Sequence, residues 1–334
     1  MTEMASTVRW GVLGNAGIAR KQVIPALKRA SNAELAAIAT RSGKASEAAA
    51  EYGINKGYGS YEGLLSDPDI DAVYIPLPNG IHAEWVKKAA EAGKPILCEK
   101  PAALNADEAA EMIEACRRHG VTFMEAFMYR FHPQHERVKE LIAKGEIGEV
   151  KFMRSSFAFR LTDPNNIRFD RDLGGGALYD VGCYCINASR YIIGAEPTEA
   201  YARASMSEGG VDLTTAGILS FENGRQAAFD CSFETTPRES YEVVGTHGKI
   251  MVEGPFRPDK NVDGNGHIIL ETTGGTRREE SVNGDAYRMQ AEHFSQCVID
   301  GSEPLNPAEE TIHNMKVIDA CLASIRSGSP AEIR

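Results

Sequence analysis

No uncharged apolar run in the 334-residue sequence approaches the roughly 18 residues that a membrane span needs. The N-terminal Met1-Thr-Glu-Met-Ala-Ser-Thr7 lacks a basic stretch followed by an apolar one, so nothing in it marks the chain for secretion. There is no Cys-x-x-Cys pair. The seven cysteines are scattered, and the closest, Cys183 and Cys185, are spaced poorly for a zinc site or an ordinary disulfide. Positive charge is in deficit, 36 Lys and Arg against 47 Asp and Glu, for a net charge of −11. That balance argues against nucleic acid or an anionic membrane as a partner. Internal repeats and low-complexity segments are also absent. What is present is an ordinary globular mixture, 43% hydrophobic and 25% charged, in a chain long enough for two domains. The expectation is a soluble, cytoplasmic, two-domain protein.

The first third alternates strand and helix patterns. Apolar runs at 8–13, 33–40, 72–76, 95–98 and 121–126 read as strands, and 18–29, 45–52, 83–92 and 107–119 as helices. Near-continuous apolar strands separated by helices imply a doubly wound parallel sheet covered on both faces. After His132-Pro133 the pattern changes. One more helix at 134–144 is followed by strand patterns at 150–159, 200–206, 217–221, 226–233, 241–245, 249–252 and 268–272. Turns such as Glu222-Asn223-Gly224 and Asp263-Gly-Asn-Gly266 separate several of them, as in an open, mainly antiparallel sheet. Helices at 177–191, 286–300 and 307–327 are expected to cover one face of that sheet. The fold class is α/β, with a boundary that divides the chain into 1–126 and a larger α+β domain, 127–334.

Gly14-Asn15-Ala16-Gly17-Ile18-Ala19 turns the first strand into a helix. A tight glycine turn and helix N-terminal amides are what a dinucleotide pyrophosphate requires. Ala16 replaces the second glycine of the usual Gly-x-Gly-x-x-Gly pattern and adds a methyl group where the phosphates pass. At the end of the second strand an Asp or Glu would grip the ribose hydroxyls of NAD. Thr40-Arg41-Ser42-Gly43-Lys44 stands there instead. Two cations and small hydroxyl donors suit a 2′-phosphate, so the cofactor is read as NADP, with NAD as the alternative.

Cys98-Glu99-Lys100-Pro101 follows what reads as the fourth strand, at the sheet edge where such folds take ligands. A lysine there, tuned by Glu99, suits proton transfer and orientation of a substrate hydroxyl. Later, Gly174-Gly-Gly-Ala-Leu-Tyr-Asp180 opens a helix on which Asp180 and Tyr184, four residues apart, share a face. A carboxylate and a phenol on one face make a plausible relay for an alcohol or carbonyl. His132-Pro-Gln-His135 lacks a carboxylate or cysteine set to complete a coordination sphere, so no metal is expected.

Together the Gly14 turn, Pro78-Asn79-Gly-Ile-His82, Glu99-Lys100-Pro101, the glycine-rich segment ending in Asp180 and the late Tyr287-Arg-Met-Gln-Ala-Glu292 resemble the Gfo/Idh/MocA oxidoreductase family. Within it the chain is nearest the glucose–fructose oxidoreductase, D-xylose dehydrogenase and dihydrodiol dehydrogenase branch. The resemblance implies an N-terminal Rossmann domain for the cofactor and a C-terminal domain for substrate and oligomer contacts, forming a homodimer or homotetramer through its sheet. It implies Tyr184 as acid/base, Lys100 as its assistant and Asp180 on the substrate. Cofactor contacts are implied from Tyr58, Pro76, Asn79, His82, Glu99, Lys100, Arg168 and Tyr287, beside Gly14, Asn15, Ala16, Gly17, Ile18, Thr40, Arg41, Ser42 and Lys44. The implied reaction is hydride transfer between nicotinamide and an aldose or related polyol, with keto-sugar reduction, aldose–aldose exchange and a non-catalytic NADP sensor as alternatives.

Overall fold

Apolar runs too long to leave one face in water become strands buried on both. In the computed structural model, which describes residues 7–334, these are β1 (Val8–Leu13), β2 (Ala33–Ala39), β4 (Ala72–Ile75), β5 (Ile96–Cys98) and β6 (Phe123–Glu125), joined by the short β3 (Lys56–Tyr58). They form an all-parallel sheet ordered β3-β2-β1-β4-β5-β6. Between them run α1 (Ile24–Arg29), α2 (Ala45–Tyr52), α3 (Tyr61–Leu65), α4 (His82–Glu91) and α5 (Ala106–His119). Strand order reverses between β1 and β4, which marks the carboxyl ends of these strands as the ligand edge. β3 is an edge strand of sequence Lys-Gly-Tyr with no apolar run to betray it. Glu99-Lys100-Pro101 therefore follows the fifth strand in chain order, not the fourth.

The following elements are α6 (Pro133–Ala143), β7 (Val150–Ala158), α7 (Cys183–Ile193), β8 (Pro197–Met206), β9 (Asp212–Phe221), β10 (Gln226–Ser232), β11 (Arg238–Gly245), β12 (Gly248–Glu253), β13 (Gly266–Thr272), β14 (Arg277–Val282), α8 (Ala286–Asp300), α9 (Ala308–Ser327) and β15 (Ala331–Glu332). The nine strands form one mixed sheet, β14-β13-β12-β11-β7-β10-β9-β8-β15. Only β7 and β10 pair in parallel; every other pairing is antiparallel. The two terminal strands of this order, β14 (Arg-Arg-Glu-Glu-Ser-Val) and the two-residue β15, carry too little apolar patterning to be read from sequence. α7 lies against β7 and β10 and is buried nearly all round.

The chain divides into two compact units. One runs to Phe127 and is completed by Ala286–Ile312; the other comprises Met128–Asp285 and His313–Arg334. Helix α8, expected on the second sheet, packs instead on α1, β1 and β2 of the first. Fully buried Trp10 donates its indole N–H to Ser295 Oγ at 3.0 Å, and its ring lies 5.5 Å from that of Phe294. Helical periodicity identifies the apolar face of α8 but not the surface it meets. All seven cysteines are free and buried. Among the described residues, no helix is long and apolar enough to cross a membrane.

Candidate active site

At the carboxyl end of β1 the chain turns through Gly14, whose φ of +108° disfavours any residue with a side chain. Its N–H donates to Ala39 O at 2.8 Å, and a Cβ there would lie 3.1 Å from Leu77 Cδ2. Asn15 Oδ1 accepts from the Tyr52 hydroxyl at 2.8 Å, which fixes the turn against α2. Ala16 and Ile18 are partly exposed and Gly17 is exposed, with no atom within 4 Å of where its Cβ would stand. The helix that follows opens with a π turn, Ala19–Val23, before α1.

Beyond β2, Thr40 Oγ1 shares a 2.9 Å hydrogen bond with Ser42 Oγ and accepts from Ser42 N–H at 3.3 Å, making a tight turn. Between them Arg41 is exposed, and its guanidinium carbon lies 4.7 Å from the ring centroids of both Tyr61 and Trp85. Among the described residues Arg41 makes no hydrogen bond or ion pair. Lys44 is exposed at the start of α2. Tyr58, expected as a cofactor contact, uses its hydroxyl within the domain. Its hydroxyl donates to Asp67 Oδ2 at 2.6 Å, where Lys56 Nζ also binds at 2.8 Å, so it fastens the sheet edge. These two donors hold Asp67 below the usual carboxylate range.

Lys100, partly exposed, follows β5 and precedes a cis peptide to Pro101. Its neighbours build the loop. Glu99 is buried, with Oε1 accepting from the Tyr74 hydroxyl at 2.7 Å and Oε2 from Lys100 N–H at 3.3 Å. His82 has no exposed surface; Nε2 lies 2.7 Å from Leu77 O and Nδ1 3.0 Å from Pro101 O. Burial pulls its pKa down to about 4, against the opposing pull of those two carbonyls. His82, expected on the cofactor, lies between the Leu77 segment and the Lys100 loop, with both ring nitrogens against backbone carbonyls. Pro76 is buried, Asn79 is partly exposed in the turn before α4, and Tyr287 is buried on α8. Glu125, which sequence reading missed, accepts from Ala102 N–H at 3.0 Å and completes the loop.

The second unit carries the other implied residues. Asp180 lies in a π turn, Leu178–Gly182, that opens α7, and its Oδ2 accepts from Arg168 Nε at 2.6 Å. Arg168 was expected on the cofactor; here it is held by Asp180 and by the Asn166 cap of its own short turn. Tyr184 is buried among Tyr129, Phe157 and Phe256, with ring centroids 5.9, 5.5 and 5.4 Å away. Its hydroxyl donates to Met128 Sδ at 3.5 Å, a weak acceptor. Asp212 is a further residue that sequence reading missed. Buried at the start of β9, it accepts from Leu178 N–H and the Thr215 hydroxyl, both at 2.7 Å, and so caps the π turn. Burial raises its pKa. A Cβ on Gly176 would fall 2.2 Å from Asp212 Oδ1, which explains the third glycine of the run. The His132–His135 pair is absorbed into packing. His132 Nδ1 accepts from Gln134 N–H, while His135 meets the Tyr241 hydroxyl at 3.0 Å and Pro255 O at 2.9 Å.

One unit thus offers a glycine turn, the Arg41 cation at the neighbouring strand end and a lysine loop. The other offers an oriented carboxylate and a phenol. Residues 8–127 match the family model described as an oxidoreductase family, NAD-binding Rossmann fold. Residues 135–251 match the GFO/IDH/MocA C-terminal domain. The chain is 43% identical to D-xylose 1-dehydrogenase (NADP(+)) 2 of Haloferax volcanii, over 97% of this chain and 99% of that one. An aldose-aldose oxidoreductase from Caulobacter crescentus, complexed with glycerol, superposes with a TM-score of 0.90 at 26% identity, covering 98% and 99% of the two chains. A 3-ketoreductase from Actinomadura kijaniata, in complex with NADP and TDP-benzene, gives a TM-score of 0.89 at 30% identity, covering 95% and 98%.

Proposed function

The chain belongs to the Gfo/Idh/MocA family of NAD(P)-dependent sugar dehydrogenases and reductases, and on that premise we propose that it moves hydride between NADP(H) and a carbinol carbon of an aldose or related polyol. The observation that carries this reading is the full-length likeness to a D-xylose 1-dehydrogenase (NADP(+)). Two features of the chain itself fit the cofactor. Gly14 provides the positive-φ turn that a pyrophosphate requires, with open space at Gly17. Arg41, which has no ion-pair partner among the described residues, stands where a carboxylate would select NAD. Gly14, Asn15, Ala16, Gly17 and Ile18 would hold the pyrophosphate, and Thr40, Arg41, Ser42 and Lys44 the 2′-phosphate. When bound, the nicotinamide supplies the hydride acceptor or donor.

The chain's own residues then manage position and proton. Tyr184, as phenolate, takes the substrate hydroxyl proton in oxidation and, as phenol, returns it in reduction, while Lys100 lowers the tyrosine pKa or orients that hydroxyl. Asp180, aimed by the Arg168 guanidinium, accepts a hydrogen bond from a neighbouring sugar hydroxyl. The test is a cofactor-reduction screen over aldoses, inositols and dihydrodiols with NADP+, followed by Tyr184→Phe and Lys100→Met. Turnover of a sugar that falls about a hundredfold or more in each variant, with NADP+ affinity retained, supports the roles. Full turnover in both variants overturns them.

The likeness to an NADP-bound 3-ketoreductase favours a second reading, reduction of a keto-sugar at a ring carbon. NADPH oxidation by keto-sugars, without aldose oxidation, would select it. Aldose–aldose exchange, the reaction named for the Caulobacter crescentus protein, would show as reduced nicotinamide absorbing near about 340 nm in the purified protein. We also propose that a second copy covers the outer face of β8 and β9, where Tyr201 and Ile218 pair across the strands and both are exposed, as is Met206. Light scattering reports this directly: a dimer or tetramer is expected, and a monomer at micromolar concentration overturns it.

A further inference from the structure

Three groups meet at nearly equal spacing beside the β2 end. The Tyr61 and Trp85 ring centroids are 4.8 Å apart with their planes at 85°, and the Arg41 guanidinium carbon is 4.7 Å from each. The guanidinium sits in the corner of two perpendicular rings. Each ring attracts the cation and limits its movement in one direction. Neither ring takes a hydrogen bond from it, and no carboxylate pairs with it among the described residues. Its N–H groups are therefore unspent while its position is fixed.

The corner is itself rigid. Trp85 is fully buried and Tyr61 is nearly so. Burial raises the Tyr61 pKa, with Arg41 opposing. Trp85 also lies under Lys88, whose Nζ is 4.1 Å from the ring centroid. Lys88 is paired with Glu84 at 2.7 Å and Glu62 at 3.4 Å, whereas Glu62 acts on Arg41 only as a charge at longer range. The Tyr61 hydroxyl lies 3.7 Å from where a Gly14 Cβ would stand, which places the corner beside the glycine turn. Trp85 and His82 are three residues apart on α4, so they lie on neighbouring positions of one helix face. His82 ties down the Lys100 loop and Trp85 backs Arg41.

We propose that Tyr61 and Trp85 are positioning residues that set the preference for NADP over NAD, by holding the unpaired Arg41 guanidinium ready for a 2′-phosphate. This rests on the NADP reading above. A long, flexible arginine loses side-chain freedom when it binds an anion; one already confined by two rings has less to lose, so the gain is specific to the phosphorylated cofactor.

The test compares binding of 2′-phospho-AMP with that of AMP by calorimetry on the cofactor-free protein, and kcat/KM for NADP+ with that for NAD+. In Tyr61→Leu the discrimination ratio is expected to fall about three- to thirtyfold, with the AMP affinity and the kcat at saturating NADP+ unchanged. Tyr61→Phe, which keeps the ring, retains the ratio. Trp85→Phe, which keeps the core filled with a weaker π face, lowers it less. In an Arg41→Ala background, Tyr61→Leu has no further effect on the ratio. Equal loss for both nucleotides in Tyr61→Leu, or a full loss in Tyr61→Phe, overturns the positioning role. If Arg41→Ala collapses the ratio while Tyr61→Leu and Trp85→Phe both leave it intact, this inference falls and the NADP reading stands. If Arg41→Ala itself leaves the ratio intact, both fall.

Discussion

Arg168 Nε donates to Asp180 Oδ2 at 2.6 Å, drawing a short exposed turn onto the first turn of the helix that carries Tyr184. The carboxylate is mostly buried while the arginine is over a third exposed. The pair therefore aims Asp180 more than it stabilises the fold, since an ion pair open to solvent contributes at most about 1 kcal/mol. Arg168→Gln is expected to lower kcat/KM for the sugar roughly tenfold to a hundredfold, through lost orientation of Asp180. Arg168→Lys, which loses the planar fork, recovers only part. Melting temperature should hardly move in either variant. Steady-state kinetics beside thermal melts check this.

The glycines around this pair separate packing from ligand space. A Cβ on Gly175 would meet Arg168 O at 2.5 Å and Asp170 O at 2.7 Å, both backbone atoms that cannot swing aside. Gly175→Ala should cost about 1–3 kcal/mol in urea unfolding and lower activity as the Arg168 turn is pushed out. Gly17→Ala has no neighbour to strike, so its stability should stay within about 0.5 kcal/mol of the parent. Its KM for cofactor should nevertheless rise, because the added methyl group enters the proposed pyrophosphate space.

Asp212 is the anchor beneath the π turn. Asp212→Ala strands the Leu178 N–H and the Thr215 hydroxyl inside the protein, at about 1–3 kcal/mol for each group left without a partner. Asp212→Asn keeps an acceptor and should lose less. Urea midpoints give the order. If Asp212→Ala matched the parent, the cap would have no role in holding the turn.

Three buried histidines predict how stability responds to acid. Burial depresses the pKa of His82 and His132 to about 4 and that of His135 to about 3. In the unfolded chain each would titrate near about 6.5. Between those limits the unfolded state binds more protons, so the contribution is complete above about pH 6.5 and is lost progressively as pH falls towards the folded values. Each group adds a slope of up to about 1.4 kcal/mol per pH unit. Unfolding free energy measured across this window should fall steeply, and His135→Gln should flatten the dependence by one group's share.

Sequence patterns located most of the architecture because long apolar strands and helix caps are local signals. Gly14, Gly93, Gly120 and Gly194 end strands or helices where a reader of the chain would place them. Signals failed where the element was short and polar, as in β3 and β14, or where the partner was remote in sequence. Nothing local shows that Asp212 caps the Leu178 turn or that Trp10 meets Phe294. The site residues divide in the same way. Arg41 and Lys100 could be picked out by their position after strands. That His82 and Glu99 face backbone and Tyr74 rather than open space depends on burial, which a motif does not encode. The corner holding Arg41 needed Tyr61 and Trp85, from separate helices, to meet.

The position of α8 makes the first unit a late assembly. Trp10 emerges from the ribosome near the start of synthesis, yet its cover, Phe294 and Ser295, is added some 285 residues later. Until then β1 carries an open apolar flank. A fragment ending at Phe127 would share that flank permanently, whereas grafting Ala286–Ile312 onto it by a short linker would restore the missing side. Hydrogen exchange at β1 amides should therefore mark completion of the whole chain rather than of the first sheet.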